Sequence, residues 1–365
     1  MAQWVQELHF PQLDIPITID KVEPILSNSN IPANNKDSLY LSNLDDMVGV
    51  RVFTPTVYFY QSKGALLVEA HSDVALADLG DLSVPNPAWI KLIYRFPNEE
   101  EYKVVDMPLV IAQVTKFSCG GFSLGLRICH CLCDGLGAMQ FLSAWAGTAK
   151  AGSLVVNPKP CWDREIFLPR DPPKIAFSHT EFKRIDEGST LTMNLWQGKP
   201  VQKCYRISQE FQARLKRAVQ ADGKFSCTTF DALAAHVWRS WVKALDVKPL
   251  DYELRLTFSV NARAKLKNPR LNDGFYGNAL CVACTTSTVS RLVDGCLAET
   301  ARLVHEARLG VSEDYLRSTI DYIDLHRPKR LEFGGKLTTH NGLGSRYTNR
   351  LILVGGSRYT PAPST

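Results

Sequence analysis

The sequence predicts an α/β fold in two halves of similar size. Short apolar runs with period two, read as strands, alternate with stripes of period 3.6, read as helices. A different stretch separates the halves. Pro158, Pro160, Pro169, Pro172, Pro173 and Pro200 fall beyond Gly152 with few periodic apolar positions, the composition of a long crossover linker. The chain length of 365 residues accommodates about two domains. The organisation expected is a domain over 1–151, a linker over 152–200, a second domain over 201–339 and a tail over 340–365.

In the first half the strand pattern covers Val57 to Tyr60, Ala65 to Ala70, Leu109 to Phe117 and Phe122 to Cys131. A helix is expected from Gly137 to Ala149, because Ala138, Leu142, Trp145 and Ala149 recur on one face. The second half opens with a strand at Tyr205 to Ile207 and a helix from Gln209 to Asp222, stopped by Gly223. The next helix takes Thr228 or Thr229 as N-cap and turns Phe230, Leu233, Val237, Trp241 and Ala244 inward. Leu254 to Val260 and Leu280 to Thr286 read as strands, and Val289 to Arg308 as one helix.

Composition excludes several classes. Hydrophobic content of 45% and charged content of 22% are those of a globular protein. The net charge of +5 is small and no Lys/Arg run forms a nucleic-acid or membrane patch, so charge merely permits an anionic ligand. Met1 to Glu7 lacks the pattern of a signal peptide, and no apolar run reaches the ~18 residues of a membrane span. The ten cysteines are scattered, which suits a reducing, cytoplasmic setting. Cys129-x-Cys131-x-Cys133 and Cys281-x-x-Cys284 have metal-like spacings. The first set lies on the strand face opposite His130 and the second reads as a buried strand, so no metal site is expected.

The most informative run is Ser123 to Gly137. An alternating strand ends at His130, Asp134 follows four residues later, and Gly135 and Gly137 lead into a helical pattern. Phe122, Leu124, Leu126 and Ile128 share one strand face, and His130 continues it. Apolar surroundings there favour the neutral, basic imidazole. A rigid strand end beside a glycine turn suits a general base, although a histidine on such a face is more often a satisfied core residue.

Cys119-Gly120-Gly121 followed by His130-x-x-x-Asp134-Gly135 resembles the signature of the plant BAHD acyl-CoA-dependent acyltransferases. Leu41-Ser42-Asn43-Leu44-Asp45 and Val57 to Tyr60 resemble that family's first strands, and Leu67 to Ala70 a later one. Thr229 to Trp238 resembles a second-domain helix, Asn261-Ala262-Arg263 the Asp-x-Arg motif with asparagine for aspartate, and Phe275-Tyr276-Gly277-Asn278 the Tyr-Phe-Gly-Asn motif. The likeness runs in order from Phe10 to Thr339. It implies a two-domain, chloramphenicol-acetyltransferase-like α/β architecture with mixed sheets and an active-site channel between the domains. It implies acyl transfer from an acyl-CoA cosubstrate to a small alcohol or amine, by a monomer with no permanently bound cofactor. His130 would be the base. Asp134 is either its partner or a structural residue paired with Arg263, the reading the family pattern favours, with Gly135 shaping the turn. Ser259, Asn261, Gly277 and Asn278 would lie on the CoA side, and Trp162 or Phe167 could touch ligand. The Val57 to Tyr60 neighbourhood leans toward a hydroxycinnamoyl donor.

Two breaks interrupt the likeness. Only Gln61 to Leu66 stands where the family carries a helix and a strand. After Thr339 the family continues to a tryptophan and Asp-Phe-Gly-Trp-Gly, whereas this chain reads His340-Asn341-Gly342-Leu343-Gly344. One permitted set of codons for His340 to Tyr359, read two bases later, gives QWSRFQVYKQTDFGWGEPI. A shifted reading frame is inferred, with a tail expected to be disordered and unable to replace ordered strands. Two classes stay open, an active acyltransferase and a catalytically silent remnant or non-enzymatic binding member of the family.

Overall fold

In this computed structural model the described residues are 5–9, 12–25, 42–45, 53–55, 65–82, 86–99, 107–154, 156–182, 204–221, 225–326, 336–341 and 351–355. The expected strand at Val57 to Tyr60 and the stop at Gly223 lie outside them. The chain divides into two compact units. The N-terminal unit comprises Leu8–Leu168 and Asn268–Ala279. The C-terminal unit comprises Met1–Glu7, Pro169–Lys267 and Leu280–Thr365. Residues 152–168, within the stretch expected as linker, therefore cluster with the N-terminal unit, and so does the segment carrying Tyr276, Gly277 and Asn278.

Strand β1 (Val5–Leu8) pairs away from the N-terminal unit's sheet. That sheet is built from β2 (Thr18–Ile25), β3 (Phe53–Pro55), β4 (Ala65–Ser72), β5 (Val110–Phe117) and β6 (Phe122–Cys129), in the order β2-β4-β5-β6-β3. It is mixed: β4 and β5 run parallel and the other neighbours antiparallel. A tight turn joins β5 to β6, with Gly120 at φ +81°, a left-handed value glycine adopts without strain. The register sets Val110 opposite Ile128 and Ala112 opposite Leu126. These four apolar side chains share a face and pack on Ala138 and Phe141 of helix α1 (Gly135–Ala151). Leu126 is fully buried there, so Leu126→Ala would remove about 2–5 kcal/mol. Helix α1 stops at Gly152, φ +66°, whose N–H returns to the Thr148 carbonyl.

Among the described residues the C-terminal unit carries two sheets. One is β1 with β7 (Cys204–Ile207). Helices α2 (Gln209–Gln220) and α3 (Thr229–Ala244) follow, and α3 opens on a capping box in which Thr228 Oγ1 accepts the Asp231 N–H and Asp231 accepts the Thr228 N–H. The second sheet centres on the antiparallel pair β8 (Glu253–Asn261) and β9 (Leu280–Thr288) and, with β10 (Lys336–Asn341) and β11 (Leu351–Gly355), has the order β11-β10-β8-β9. The single helix expected over Val289 to Arg308 is two, α4 (Val289–Asp294) and α5 (Leu297–Gly310). Gly295 leaves the helical conformation and bonds back to the Arg291 carbonyl, and Cys296 then caps α5. The buried Asp231 carboxylate ties α3 to α5 through Arg308 and His305. Burial opposes its charge, but those donors and the Thr228 N–H outweigh burial and hold it below the usual carboxylate range.

Helix α6 (Glu313–His326) carries the crossover chain. Asp321 accepts the Arg170 N–H, the Arg170 guanidinium and the Lys174 N–H at 2.7–2.8 Å. Ser318 Oγ accepts the Ala176 N–H and bonds His179 Nε2 at 2.7 Å, while His179 Nδ1 meets Glu181 at 2.8 Å. This serine, histidine and glutamate have the connectivity of a hydrolytic triad. All three are 0–1% exposed and the serine is already occupied by backbone, so they tether the crossover chain.

Strands β10 (Lys336–Asn341) and β11 (Leu351–Gly355) include 340–341 and 351–355 of the tail expected to be disordered, and the rest of that tail lies outside the described residues. β10 pairs parallel with β8, and β11 pairs antiparallel with β10. The run Leu351-Ile352-Leu353-Val354 is apolar and half of it, Ile352 and Val354, is β-branched, which suits a pleated edge despite flanking glycines.

Candidate active site

Strand β6 ends at Cys129, two residues earlier than its alternation predicts. His130 lies in a turn closed by the Leu132 N–H on the Cys129 carbonyl, so the strand's parity no longer fixes its direction. The imidazole is half-buried, and its Nδ1 is enclosed with no partner among the described residues. A ring nitrogen without a protein partner leaves the tautomer for a ligand to set. Cys129 and Cys131 flank the histidine with their sulfurs 2.9 Å apart. Cys131 stabilises the Cys129 thiolate by hydrogen bonding, burial opposes this, and the balance brings Cys129 down to about 7. The Cys131 thiol is pushed up, first by its bond to Cys129 and then by burial. Among the described residues no group of three or more His, Cys, Asp or Glu side chains could hold a metal ion.

Asp134 is buried and caps α1. Its Oδ1 accepts the Leu136 and Gly137 N–H groups at 3.0 Å and its Oδ2 accepts the Ala279 N–H at 3.1 Å. The carboxylate thus serves as a helix cap, holding the first turn of α1 through one oxygen and the Ala279 N–H through the other. Gly135 is the first helical residue and Gly137 the third. A Cβ on Gly137 would stand 1.9 Å from the Tyr276 carbonyl oxygen, so only glycine lets the 275–278 segment lie against the helix start.

That segment reaches the histidine turn through Asn278. Its Nδ2 donates to the His130 carbonyl at 2.7 Å and to Asp45 Oδ1 at 2.9 Å. Asn278, expected on the CoA side, is 2% exposed, and its amide braces the protein's own turn. Gly277 packs beside the Phe275 ring, and Phe275 meets the fully buried Phe167 edge-on at 5.5 Å. Trp162, by contrast, is exposed.

Sequence reasoning passed over the centre of this network. Ser42 to Asp45, expected as strand, form a turn in which Asp45 Oδ2 accepts the Ser42 N–H and hydroxyl. Arg164 donates from Nε to the same oxygen at 3.1 Å and from Nη2 to the Leu132 carbonyl at 2.6 Å. Its guanidinium lies 5.2 Å from the centre of the Tyr276 ring. An arginine six residues past Pro158 in a proline-rich stretch gave no periodic signal of burial.

Ser259, Asn261 and Arg263 lie in the C-terminal unit at the end of β8. Asn261 Oδ1 accepts the Arg263 N–H at 3.1 Å and bonds its guanidinium at 3.5 Å, so the asparagine supplies the local turn where the family motif has aspartate.

A family model described as the Transferase family matches residues 61–345. An omega-hydroxypalmitate O-feruloyl transferase of Arabidopsis thaliana is 33% identical over 293 residues, 79% of this chain and 63% of its own length. Alcohol acyl transferase 1 allele RGb of Malus domestica is 34% identical over 75% of this chain and 60% of its own. Anthranilate N-benzoyltransferase protein 1 of Dianthus caryophyllus is 34% identical over 72% and 58%. The chain thus spans about 60% of the length of these relatives. Vinorine synthase superposes with a TM-score of 0.57 at 16% identity, over 89% of this chain and 83% of that one. F. graminearum TRI101, solved with coenzyme A and deoxynivalenol, gives 0.51 at 15% identity, over 83% and 75%.

The mixed α/β units are those of the chloramphenicol-acetyltransferase-like fold. The chain belongs to the BAHD branch of the transferase family, whose model covers most of its length. Among the described residues no helix is long and apolar enough to cross a membrane.

Proposed function

We propose that the protein transfers an acyl group from an acyl-CoA thioester to a small alcohol or amine, with His130 as general base. One observation carries the reading: the Asn278 amide holds the His130 carbonyl while the Ala279 N–H holds Asp134, joining two motifs 145 residues apart. A turn held so tightly suits a group that must meet its substrate at a fixed distance.

In this mechanism a ring nitrogen of His130 takes the acceptor's hydroxyl or amine proton as that atom attacks the thioester carbonyl carbon. The C–S bond then breaks, and the leaving thiolate recovers the proton from the imidazolium. Thiolate leaves readily, so no covalent enzyme intermediate is needed. Asp134 is structural, and the family pattern makes Arg263 its charge partner. Gly277, Ser259 and Asn261 are assigned to the CoA side. The donor is read as a hydroxycinnamoyl-CoA, a reading the feruloyl transferase relative supports. A monomer in the cytosol fits described cysteines that are all free.

His130→Ala should slow transfer by roughly 10²–10⁴ with acyl-CoA affinity unchanged. Turnover near that of the parent would remove His130 from the chemistry. A second reading, a silent member that binds acyl-CoA without transfer, is favoured by the lack of Asp-Phe-Gly-Trp-Gly after Thr339. It predicts measurable acyl-CoA binding and no turnover in either chain.

A further inference from the structure

We propose that the buried Asp45–Arg164 ion pair is a positioning device that sets the His130 turn for catalysis; the catalytic part of this statement rests on the function proposed above. The argument starts from the backbone. Once β6 ends, the carbonyls of His130 and Leu132 have left the sheet ladder and need donors. Both find them in one network. Arg164 Nη2 donates directly to the Leu132 oxygen at 2.6 Å. Asn278 Nδ2 donates to the His130 oxygen at 2.7 Å while its backbone N–H and the same Nδ2 rest on Asp45 Oδ1 at 3.0 and 2.9 Å. Asp45 Oδ2 in turn accepts Arg164 Nε. One carboxylate and one guanidinium therefore fix the carbonyls on both sides of Cys131, next to the histidine.

The burial makes a purely stabilising role insufficient. Asp45 is 0% exposed and Arg164 1%. Removing two such charges from water is expensive, and well-packed apolar side chains of similar volume often serve stability as well or better. What apolar side chains cannot do is aim two hydrogen bonds at two particular carbonyls. Arginine is needed because its fork reaches Asp45 and Leu132 from different nitrogens; a lysine has one nitrogen for both. The partners come from segments far apart in sequence, 119 residues between Asp45 and Arg164 and 233 between Asp45 and Asn278. The histidine turn is thus tied to two other segments of the unit, and its local sequence alone does not decide its place.

The test compares the parent chain with Asp45→Leu/Arg164→Met, which replaces the charges by apolar volume, and with Asn278→Leu, which cuts the link to the His130 carbonyl and leaves the ion pair. Each is labelled with ¹⁵N-histidine, and the His130 ring signals, assigned with His130→Ala, are followed against pH. Transfer is measured alongside, with kcat and KM separated. A positioning role predicts altered His130 ring shifts and midpoint in both variants. It also predicts a kcat lower by about 10²-fold with KM for acyl-CoA within a few-fold, the loss expected of a catalytic group moved by about 1 Å. Parent-like His130 signals and kcat in a folded Asp45→Leu/Arg164→Met chain overturn the proposal; where that chain does not fold, the same result in both Asn278→Leu and Arg164→Lys, which loses the fork that reaches Leu132, overturns it. Altered ring signals in chains where even the parent transfers nothing uphold the positioning and sink the catalytic reading instead.

Discussion

Replacing Gly137 by alanine isolates the contact on which the site's geometry depends. In an ordinary helix Gly→Ala stabilises by about 1 kcal/mol. At Gly137 the new Cβ would lie 1.9 Å from the Tyr276 oxygen and 2.7 Å from its carbonyl carbon. Both are backbone atoms, so no side-chain rotation relieves the clash, and the segment must withdraw by more than about 1 Å to reach an ordinary contact. The Asn278 bond to the His130 carbonyl at 2.7 Å and the Ala279 bond to Asp134 at 3.1 Å then exceed hydrogen-bond length. A neutral bond is worth about 1 kcal/mol and one to a buried carboxylate about 1.5–3. Set against the helix gain, the expected net loss is about 1.5–3 kcal/mol. Equilibrium urea unfolding measures it, with amide exchange at Ala279 as the local readout. Gly310→Ala is the control, since a Cβ there meets open space, and should be neutral or mildly stabilising. A Gly137→Ala chain as stable as the parent, with Ala279 equally protected, would refute the close approach.

Two further outcomes follow. The Asp321 carboxyl is held below its usual range because the Arg170 and Lys174 N–H groups and the Arg170 guanidinium outweigh the burial that opposes its charge. A lowered folded-state value means that the charged group stabilises the fold at pH above about 4 and that this contribution disappears as pH falls through the folded value. Asp321→Asn should therefore lower stability at pH 7 by about 2 kcal/mol and flatten the acid limb of a stability–pH curve, and an unchanged limb would exclude the carboxylate as its source. Restoring the alternative frame after Thr339 should raise acyl-CoA affinity measured by calorimetry; equal affinity in the two chains would count against the frame reading.

Much of the fold was legible because its signals are local. The alternation in β5 and β6 and the stripe in α1 come from one sheet face packing on one helix, so period two and period 3.6 survive in the sequence. Asp134 was legible as a motif residue, and its cap follows from the glycine-led helix start beside it. Helix α4 merged with α5 in the sequence reading because Gly295 and Cys296 break the backbone without breaking the apolar pattern. Strand β11 was missed because its apolar run was weighed against its glycines and not against the open edge of β10 that it covers. Asp45 and Arg164 were missed for a deeper reason. A buried charge has no periodicity, and its partner is set by the tertiary fold.

The distribution of these contacts between the units bears on the tail after Thr339. Every anchor of the His130 turn named above, from Ser42 and Asp45 through Arg164 to Asn278 and Ala279, belongs to the N-terminal unit. The tail strands belong to the other unit, where β10 lies directly against β8 over Lys336 to Thr339. β8 carries Ser259 and Asn261, two residues assigned to the CoA side. Since β10 faces β8 only over Lys336 to Thr339, opposite Arg255 to Phe258, a different sequence after Thr339 reaches β8 only through β10 and β11 and touches none of the hydrogen bonds of the His130 turn. A chain of this kind can keep an ordered histidine and lose substrate affinity, which is why His130 ring titration and acyl-CoA binding, measured separately, carry more information here than turnover alone.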